Sequence, residues 1–537
     1  MVRFIIFSIA MAFSSFSFAA TNIWSSSILI NGGQNSTNVI GPLAIDSNSN
    51  TLVGWLPGSN PGTTDRIYSS TLTAGDSIWA SPETITIVPS SAFPAYPVMN
   101  ITADNYQNAF WGNISISPLE FTINSVERPA DTTIWSTPVS LTVPNAVPAG
   151  GSAQIDQKRN LLAVLPLSSS FTPPFSIQVF TLPSPGTAWN TPVEVGQDGH
   201  SFPVVGVGLN NERGVIVWKT DMPIYSFPAL RYSFLTSSFS SVDSISAPSG
   251  SVDTLNMLLE MSDSYQTTAL FTSTDGSLQT VYFAQLGSSG TSWSGPTILS
   301  NSTNNAQALS ITSDGSGLYS VLWAEMDSLS NGYLFAANIT QSGAVQNTYM
   351  IAGPVAGVTS VDPGSKIAVD YYGNQVAIWS FVSGGGSFVQ VSSKSIDQVW
   401  SSPINLSVTG MTPSIVLSNQ GTAVAVWIDS GSGNFFSSVN PNIFDIMSPA
   451  FFIGKLTKNR FLNSTQYFLN MTWSPLPESS IVRYKIKQNG HLIAEIPGTG
   501  PFEYGIYLPR KKVKQYTIQA IASNGNKSDP LPLKVEK

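Results

Sequence analysis

The sequence predicts an all-β protein, an eight-bladed β-propeller with a smaller β module behind it, and three observations predict it. The first is a tryptophan that recurs about every 53 residues in two interleaved series. The second is composition: of 537 residues only 10% are charged, while 42% are hydrophobic and 11% aromatic, with 42 Gly and 36 Pro. Charge this sparse, with abundant turn formers and ample apolar surface, marks a turn-rich β protein rather than a helical or disordered one. The third is an abrupt end to the repeat near residue 440, where the charge balance also inverts.

The first tryptophan series closes a short apolar run: Trp55, Trp111, Trp218, Trp323, Trp379 and Trp427, with Leu165 and Phe271 filling the gaps. The second opens a W-x-x-P phrase at Trp79, Trp135, Trp189, Trp293 and Trp400, with Trp24, Phe239 and Val345 where the phrase decays. Self-similarity at this period marks units that bury their faces against neighbours. Within each unit an alternating segment runs into a polar turn, as in Ile367-Ala-Val-Asp-Tyr-Tyr-Gly-Asn374. A β-branched run ending in tryptophan follows, as in Thr422-Ala-Val-Ala-Val-Trp427. A third strand such as Arg66–Leu72 and the W-x-x-P strand complete the unit. Four strands per unit and eight units make a propeller. Phe239 and Phe271 make the fifth unit the weakest match, and without it the ring has seven blades. The last unit lacks a W-x-x-P strand, so Ile23–Ile30 is expected to pair beside Phe435–Val439 and close the ring. The prolines are expected on outer edge strands, where a missing N–H breaks no ladder.

Residues 1–20 read as a signal peptide. Arg3 supplies the positive end, Phe4–Phe13 the apolar stretch and Ser17-Phe18-Ala19 a small-x-small cleavage site. The stretch is short for a transmembrane anchor and broken by serines, and no later segment reaches ~20 uninterrupted apolar residues. A secreted protein, extracellular or on the outer surface, is expected, with no transmembrane anchor after cleavage. The propeller is expected over 21–440, a linker over 441–453 and the second module over 454–537.

Absence of cysteine excludes thiol catalysis and thiolate metal sites, and the two histidines, His200 and His491, are too few for a multi-histidine centre. Residues 1–451 carry 10 Lys and Arg against 26 Asp and Glu, a net −16, whereas residues 452–537 carry 13 against 5, a net +8. An acidic main body argues against a nucleic-acid partner.

In the second module Phe468-Leu-Asn-Met-Thr-Trp473-Ser-Pro475, Val482-Arg-Tyr-Lys-Ile-Lys487 and Gln515–Gly525 follow in order. This resembles a fibronectin type III domain. Trp473 before Ser-Pro matches its B strand, the Tyr484 alternation its C strand, and Tyr516 after Pro509 its tyrosine corner. The resemblance implies a β-sandwich used as a spacer or binding module, with no catalytic residues to carry over. The combination of signal peptide, long propeller and one such domain resembles secreted proteins of host-associated, environmental chlamydia-like bacteria, which implies no established activity.

Candidate chemistry is thin. Arg66, Arg128, Arg159, Arg213 and Arg231 suffice in number for a sialidase-like carboxylate clamp. However, Ser273-Thr-Asp275-Gly-Ser277 and Thr312-Ser-Asp314-Gly-Ser-Gly317 depart from Asp-boxes and read as hairpin turns. Asp46, Asp104, Asp156, Glu212, Asp263, Asp314 and Asp370 recur near the first turn of a unit, where turn capping accounts for them better than catalysis. Asp46-x-Asn48-x-Asn50 imitates a calcium loop, but its twelfth position is Pro57. Tyr68, Tyr106, Tyr225, Tyr371-Tyr372 and Phe435-Phe436 are candidates for ring stacking, with blade packing as the plainer account. Arg510-Lys-Lys-Val-Lys514 could dock an anionic surface, or simply be a solvated loop. Nine N-x-S/T sequons, among them Asn100, Asn338 and Asn470, are expected by chance in so Asn/Ser/Thr-rich a chain. Catalytic residues stay unassigned, and no cofactor or metal is expected. The expected function is non-catalytic binding of an extracellular glycan or surface protein. The alternatives are a carbohydrate-active propeller enzyme (glycoside hydrolase or lyase) and a structural envelope protein.

Overall fold

The computed structural model describes residues 24–536 apart from 31–38, 47, 57–64, 77, 89–91, 103–104, 131, 171, 185–187, 200–202, 221–225, 396–397, 420, 442, 444–448, 450, 462–463, 476–480, 510–512, 523–526 and 529. The stretch read as a signal peptide, Asp104, His200, Tyr225, Arg510–Lys512 and residues 523–526 therefore lie outside the described residues. The chain divides into two compact units, one of them Trp24–Phe444 and the other containing Asp445–Lys537.

The first unit is a β-propeller. Its strands form antiparallel sheets that follow one another along the chain, each a meander of successive strand positions except the last, whose outer strand comes from the N-terminus. Sheet 1 comprises Val39–Ile45, Thr51–Leu56, Asp65–Leu72 and Glu83–Val88. The later sheets open with Ala92–Ile101 (sheet 2), Ser152–Ile155 (3), Val205–Asn210 (4), Asp253–Met261 (5), Asn305–Ser313 (6), Lys366–Val369 (7) and Gly410–Leu417 (8). Of the two residues that mark the weakest match to the repeat, Phe271 lies in the four-stranded sheet of residues 253–298 and Phe239 in the outer strand of the sheet before it. Each opening strand contacts that of the next sheet, and the opening strand of sheet 8 contacts that of sheet 1, so the sheets close on themselves.

The tryptophan repeat explains the packing. One buried apolar cluster lies between each pair of neighbouring sheets, and each holds one member of the first series. Trp55 lies between sheets 8 and 1, Trp111 between 1 and 2, Leu165 between 2 and 3, and Trp218 between 3 and 4. Phe271, Trp323, Trp379 and Trp427 fill the next four in turn. All eight side chains are buried, because a large ring fills the space left where two twisted sheets diverge. The second series joins the same clusters at Trp79, Trp135, Trp189, Phe239, Trp293, Trp400 and Trp24, but not at Val345, which is exposed. The W-x-x-P prolines differ from expectation. Pro82, Pro138, Pro192, Pro296 and Pro403 stand one residue before the outer strand, which spares the ladder N–H altogether.

The N-terminal clasp is present. Ile28 and Leu29 pair antiparallel with Ser437 and Phe436. Ser25 N–H donates to Val439 O, and Ile30 N–H to Phe435 O.

The second unit is a sandwich of two four-stranded sheets. One has the order Glu503–Leu508, Ser464–Trp473, Phe452–Phe461, Lys534–Glu536, the last pair parallel. The other has the order His491–Pro497, Ile481–Gln488, Tyr516–Ala522, Leu531–Pro532. The opening strand begins at Phe452, inside the stretch read as linker. Trp473, Tyr484, Tyr516 and Leu469 centre its core. The Tyr516 hydroxyl accepts a hydrogen bond from the Gln488 side-chain amide.

Candidate functional site

The first hairpin of each propeller sheet is built the same way, and its capping chemistry assigns most of the acids. In seven sheets the residue opening the turn donates its N–H to the carbonyl four residues on: Asp46, Thr102, Asp156, Ser262, Asp314, Asp370 and Ser418. Sheet 4 instead uses a two-residue hairpin, with Asn210 opposite Arg213 and left-handed Asn211 and Glu212 between them. Asp46 Oδ1 accepts the Asn48 and Asn50 N–H groups at 2.8 and 2.7 Å, and Asp46 Oδ2 accepts Asn50 Nδ2 at 2.7 Å. Asp156 and Asp370 hold Asn160 and Asn374 likewise, and Asp314 holds Ser316 and Leu318. These are turn caps, and the same geometry occupies the calcium-like Asp46 run. Asp275 caps its own exposed hairpin through Ser277 and Leu278.

Among the described residues two acids depart from the expected register. Glu212 lies two residues past the turn-opening Asn210, and Asp263 one past Ser262. Their equivalents at the capping position are polar but uncharged, since Asn, Ser and Thr supply the same acceptor. Glu212 instead pairs with Lys158 at 2.9 Å, and Asp263 Oδ1 accepts Asn210 Nδ2 at 2.9 Å. Among the described residues these acids form no ring of channel-facing carboxylates.

Cross-sheet bonds show that these turns share one face. Ser49 bonds Ser418, Glu212 N–H donates to Asp156, Asp263 N–H to Gly315 O, and Tyr371 N–H to Asn419. Beneath that face the opening strands line an open cavity of about 540 Å³. Two positions before the turn, Ala44, Asn100, Glu260, Thr312, Ala368 and Val416 line it; Ser310, Lys366 and Ser414 lie two positions deeper along their strands. Glu260 and Lys366 are the charged groups of that lining, with no arginine, tyrosine or histidine among the residues that form it. Burial pushes the Glu260 carboxyl up to about 8; the Ser313 N–H opposes this and the Asp263 charge adds to it. Burial likewise lowers the Lys366 ammonium below its usual range. Asn100 donates to Ile155 O and Asp156 O, and Asn338 accepts from Gln375, so both sequon side chains are engaged inside the fold.

The expected aromatics divide sharply. Tyr371 is 62% exposed and Tyr372 38%, their rings edge to face at 5.8 Å on the turn of sheet 7. Tyr68 stacks on Trp55 and Phe436 on Trp427, and Phe435 is buried, so these belong to the interfaces between sheets. Tyr106 donates its hydroxyl to Glu127 at 2.6 Å and lies under Arg159, whose guanidinium is 4.2 Å from the ring centre.

The five arginines do not converge. Arg66 is exposed, Arg128 pairs with Glu83 over Trp135, and Arg231 bonds Gly287 O. Arg159 and Arg213 occupy neighbouring turns, and Arg213 lies 4.3 Å over Tyr265, a residue the sequence did not single out. Aligning the repeats would have flagged it: Tyr265 and Arg159 stand where Gly317, Gly373 and Gly421 stand in sheets 6, 7 and 8. Among the described residues no three His, Asp or Glu side chains gather as metal ligands, and no helix is long and apolar enough to cross a membrane. In the second unit Lys514 reaches Gln488, and Arg483 and Lys485 share Glu495.

No family model and no curated protein matches the chain. Among solved structures it is similar to a protein of unknown function from Dyadobacter fermentans, 10% identical, covering 69% of this chain and 98% of that one with a TM-score of 0.40. It is also similar to the GH93 α-L-arabinofuranosidase of Fusarium graminearum, solved with arabinobiose (10% identity, 78% and 97% coverage, TM-score 0.34). A third is the fucose-specific lectin of Aleuria aurantia (12%, 59% and 97%, TM-score 0.32). Likenesses this distant assign no activity.

Proposed function

We propose that this chain is an exported binding protein, an eight-bladed propeller whose hairpin-turn face recognises an extracellular glycan or surface protein. Residues 454–537 act as a fibronectin type III-like spacer or attachment module, and residues 1–20 direct export, as in the chlamydia-like proteins the architecture resembles. The observation that carries this reading is the Tyr371–Tyr372 pair, two large rings exposed on the turn face of a fold that buries its first tryptophan series between the sheets. An exposed aromatic pair offers apolar area with a polar rim, the combination that sugar rings and protein hot spots use. Closure by the Trp24–Ile30 strand supports a rigid platform for that face.

One observation favours the glycosidase alternative. A carboxyl held protonated near neutral pH is what a general acid needs, and Glu260 has that character. Glycoside hydrolysis by the usual route needs a second carboxylate, and the cavity lining contains none. Binding is therefore the reading we adopt. Its test is a panel of immobilised glycans read for retention and for released sugar. Retention without release, lost in Tyr371→Ala/Tyr372→Ala, is the expected result; release abolished by Glu260→Gln would establish the enzyme instead.

A further inference from the structure

The turn face has a second feature, in the backbone. Three residues after the turn opener the chain is left-handed in seven sheets: Ser49 (φ 70°), Asn105 (62°), Arg159 (71°), Tyr265 (63°), Gly317 (100°), Gly373 (85°) and Gly421 (84°). Glycine meets this demand without strain, and sheets 6 to 8 use it. Arg159 and Tyr265 meet it with large side chains, which costs conformational free energy.

Both strained residues enter one arrangement. Tyr106, Arg159, Arg213 and Tyr265 come from sheets 2, 3, 4 and 5 in that order, as two guanidinium–ring pairs, Arg159 over Tyr106 and Arg213 over Tyr265, carried by successive turns. Asp156 and Lys158 both bind Glu212, tying the two arginine-bearing turns together. Among the described residues neither Arg159 nor Arg213 meets a carboxylate within ion-pairing distance, although the propeller is rich in acids. Arg128, by contrast, is fully engaged by Glu83 and Gln107. A guanidinium over a ring keeps most of its N–H fork for an acceptor elsewhere, and that fork matches a carboxylate or sulfate in two-point contact.

We propose that Tyr106, Arg159, Arg213 and Tyr265 bind an acidic saccharide, the guanidiniums holding its anionic groups and the tyrosines flanking its rings. This rests on the turn face being a recognition surface. Because the surrounding propeller is acidic, attraction is local rather than long-range, and binding should depend only weakly on salt.

The test is calorimetric titration of the full chain with tetragalacturonate, a sulfated carrageenan tetrasaccharide and neutral cellotetraose. Binding of either acidic ligand, weakened at least tenfold by Arg159→Gly and by Arg213→Gln, is expected; which acid binds tells carboxylate from sulfate. Arg159→Gly should at the same time leave the melting temperature unchanged or raised, since glycine relieves the turn. A lowered melting temperature with unchanged binding would overturn the proposal and make Arg159 structural. Neutral binding without acidic binding overturns it while sparing the wider reading; no binding of any glycan by titration or on the immobilised panel removes both.

Discussion

At the scale of single residues, the turn face shows side chains placed against the preference of their backbone. An L residue in the left-handed region costs about 1–2 kcal/mol, whereas an exposed guanidinium over a tyrosine returns about 0.5–1 kcal/mol. The difference predicts that Arg159→Gly raises stability by up to about 1.5 kcal/mol, measured by denaturant midpoint at constant m-value. Glu260 gives a pH signature. Its folded pKa of about 8 lies above the usual 4.5, so the folded protein keeps a proton that the unfolded chain releases between those values. Its contribution to stability is present below about pH 4.5 and is lost as pH rises through 8. Glu260→Gln should therefore exceed the parent in stability at pH 8.5 by at least roughly 1 kcal/mol, with the gap closing toward pH 5. An equal gap at both pH values would show that burial does not hold the carboxyl neutral.

At the scale of elements, the two tryptophan series carry unequal loads. Trp379 is fully buried between sheets 6 and 7, and Trp400 is only partly buried in the same cluster. Trp379→Ala should cost about 3–5 kcal/mol and Trp400→Ala clearly less, as thermal or chemical denaturation would read. The recurrence of both series was legible in the sequence, because a ring needed at a fixed strand position leaves a fixed period; their unequal burial was not. The pairing of Ile28 and Leu29 with Ser437 and Phe436 was legible for the same reason: a final unit short of one strand requires a donor. The acids were read less well. Glu212 and Asp263 fell out of register because sheet 4 tightens its turn to two residues and sheet 5 caps with Ser262. Spacing alone cannot distinguish an acid in the cap from one beside it. Glu260 and Lys366 were invisible, since their character depends on which face of an alternating strand looks into the cavity. Tyr265 was missed because a left-handed φ leaves no mark in composition.

At the scale of the whole molecule, ring closure and the turn face make one claim: a rigid platform of repeated sheets presents a few unrepeated side chains. Removing residues 24–30 should strip Trp24 and Ile30 from the clusters on the two sides of sheet 8 and expose the Phe435–Asn440 edge. A lowered melting temperature and concentration-dependent association are expected by scanning calorimetry and light scattering. Residues 452–537 enclose a core of their own, so the isolated segment should fold with a cooperative transition. The most direct test of the binding account is retention of the intact chain on a glycan panel, with released sugar measured in the same wells. The account predicts retention without release, reduced by substitutions on the turn face and untouched by Glu260→Gln. Release of sugar that disappears with Glu260→Gln would contradict it.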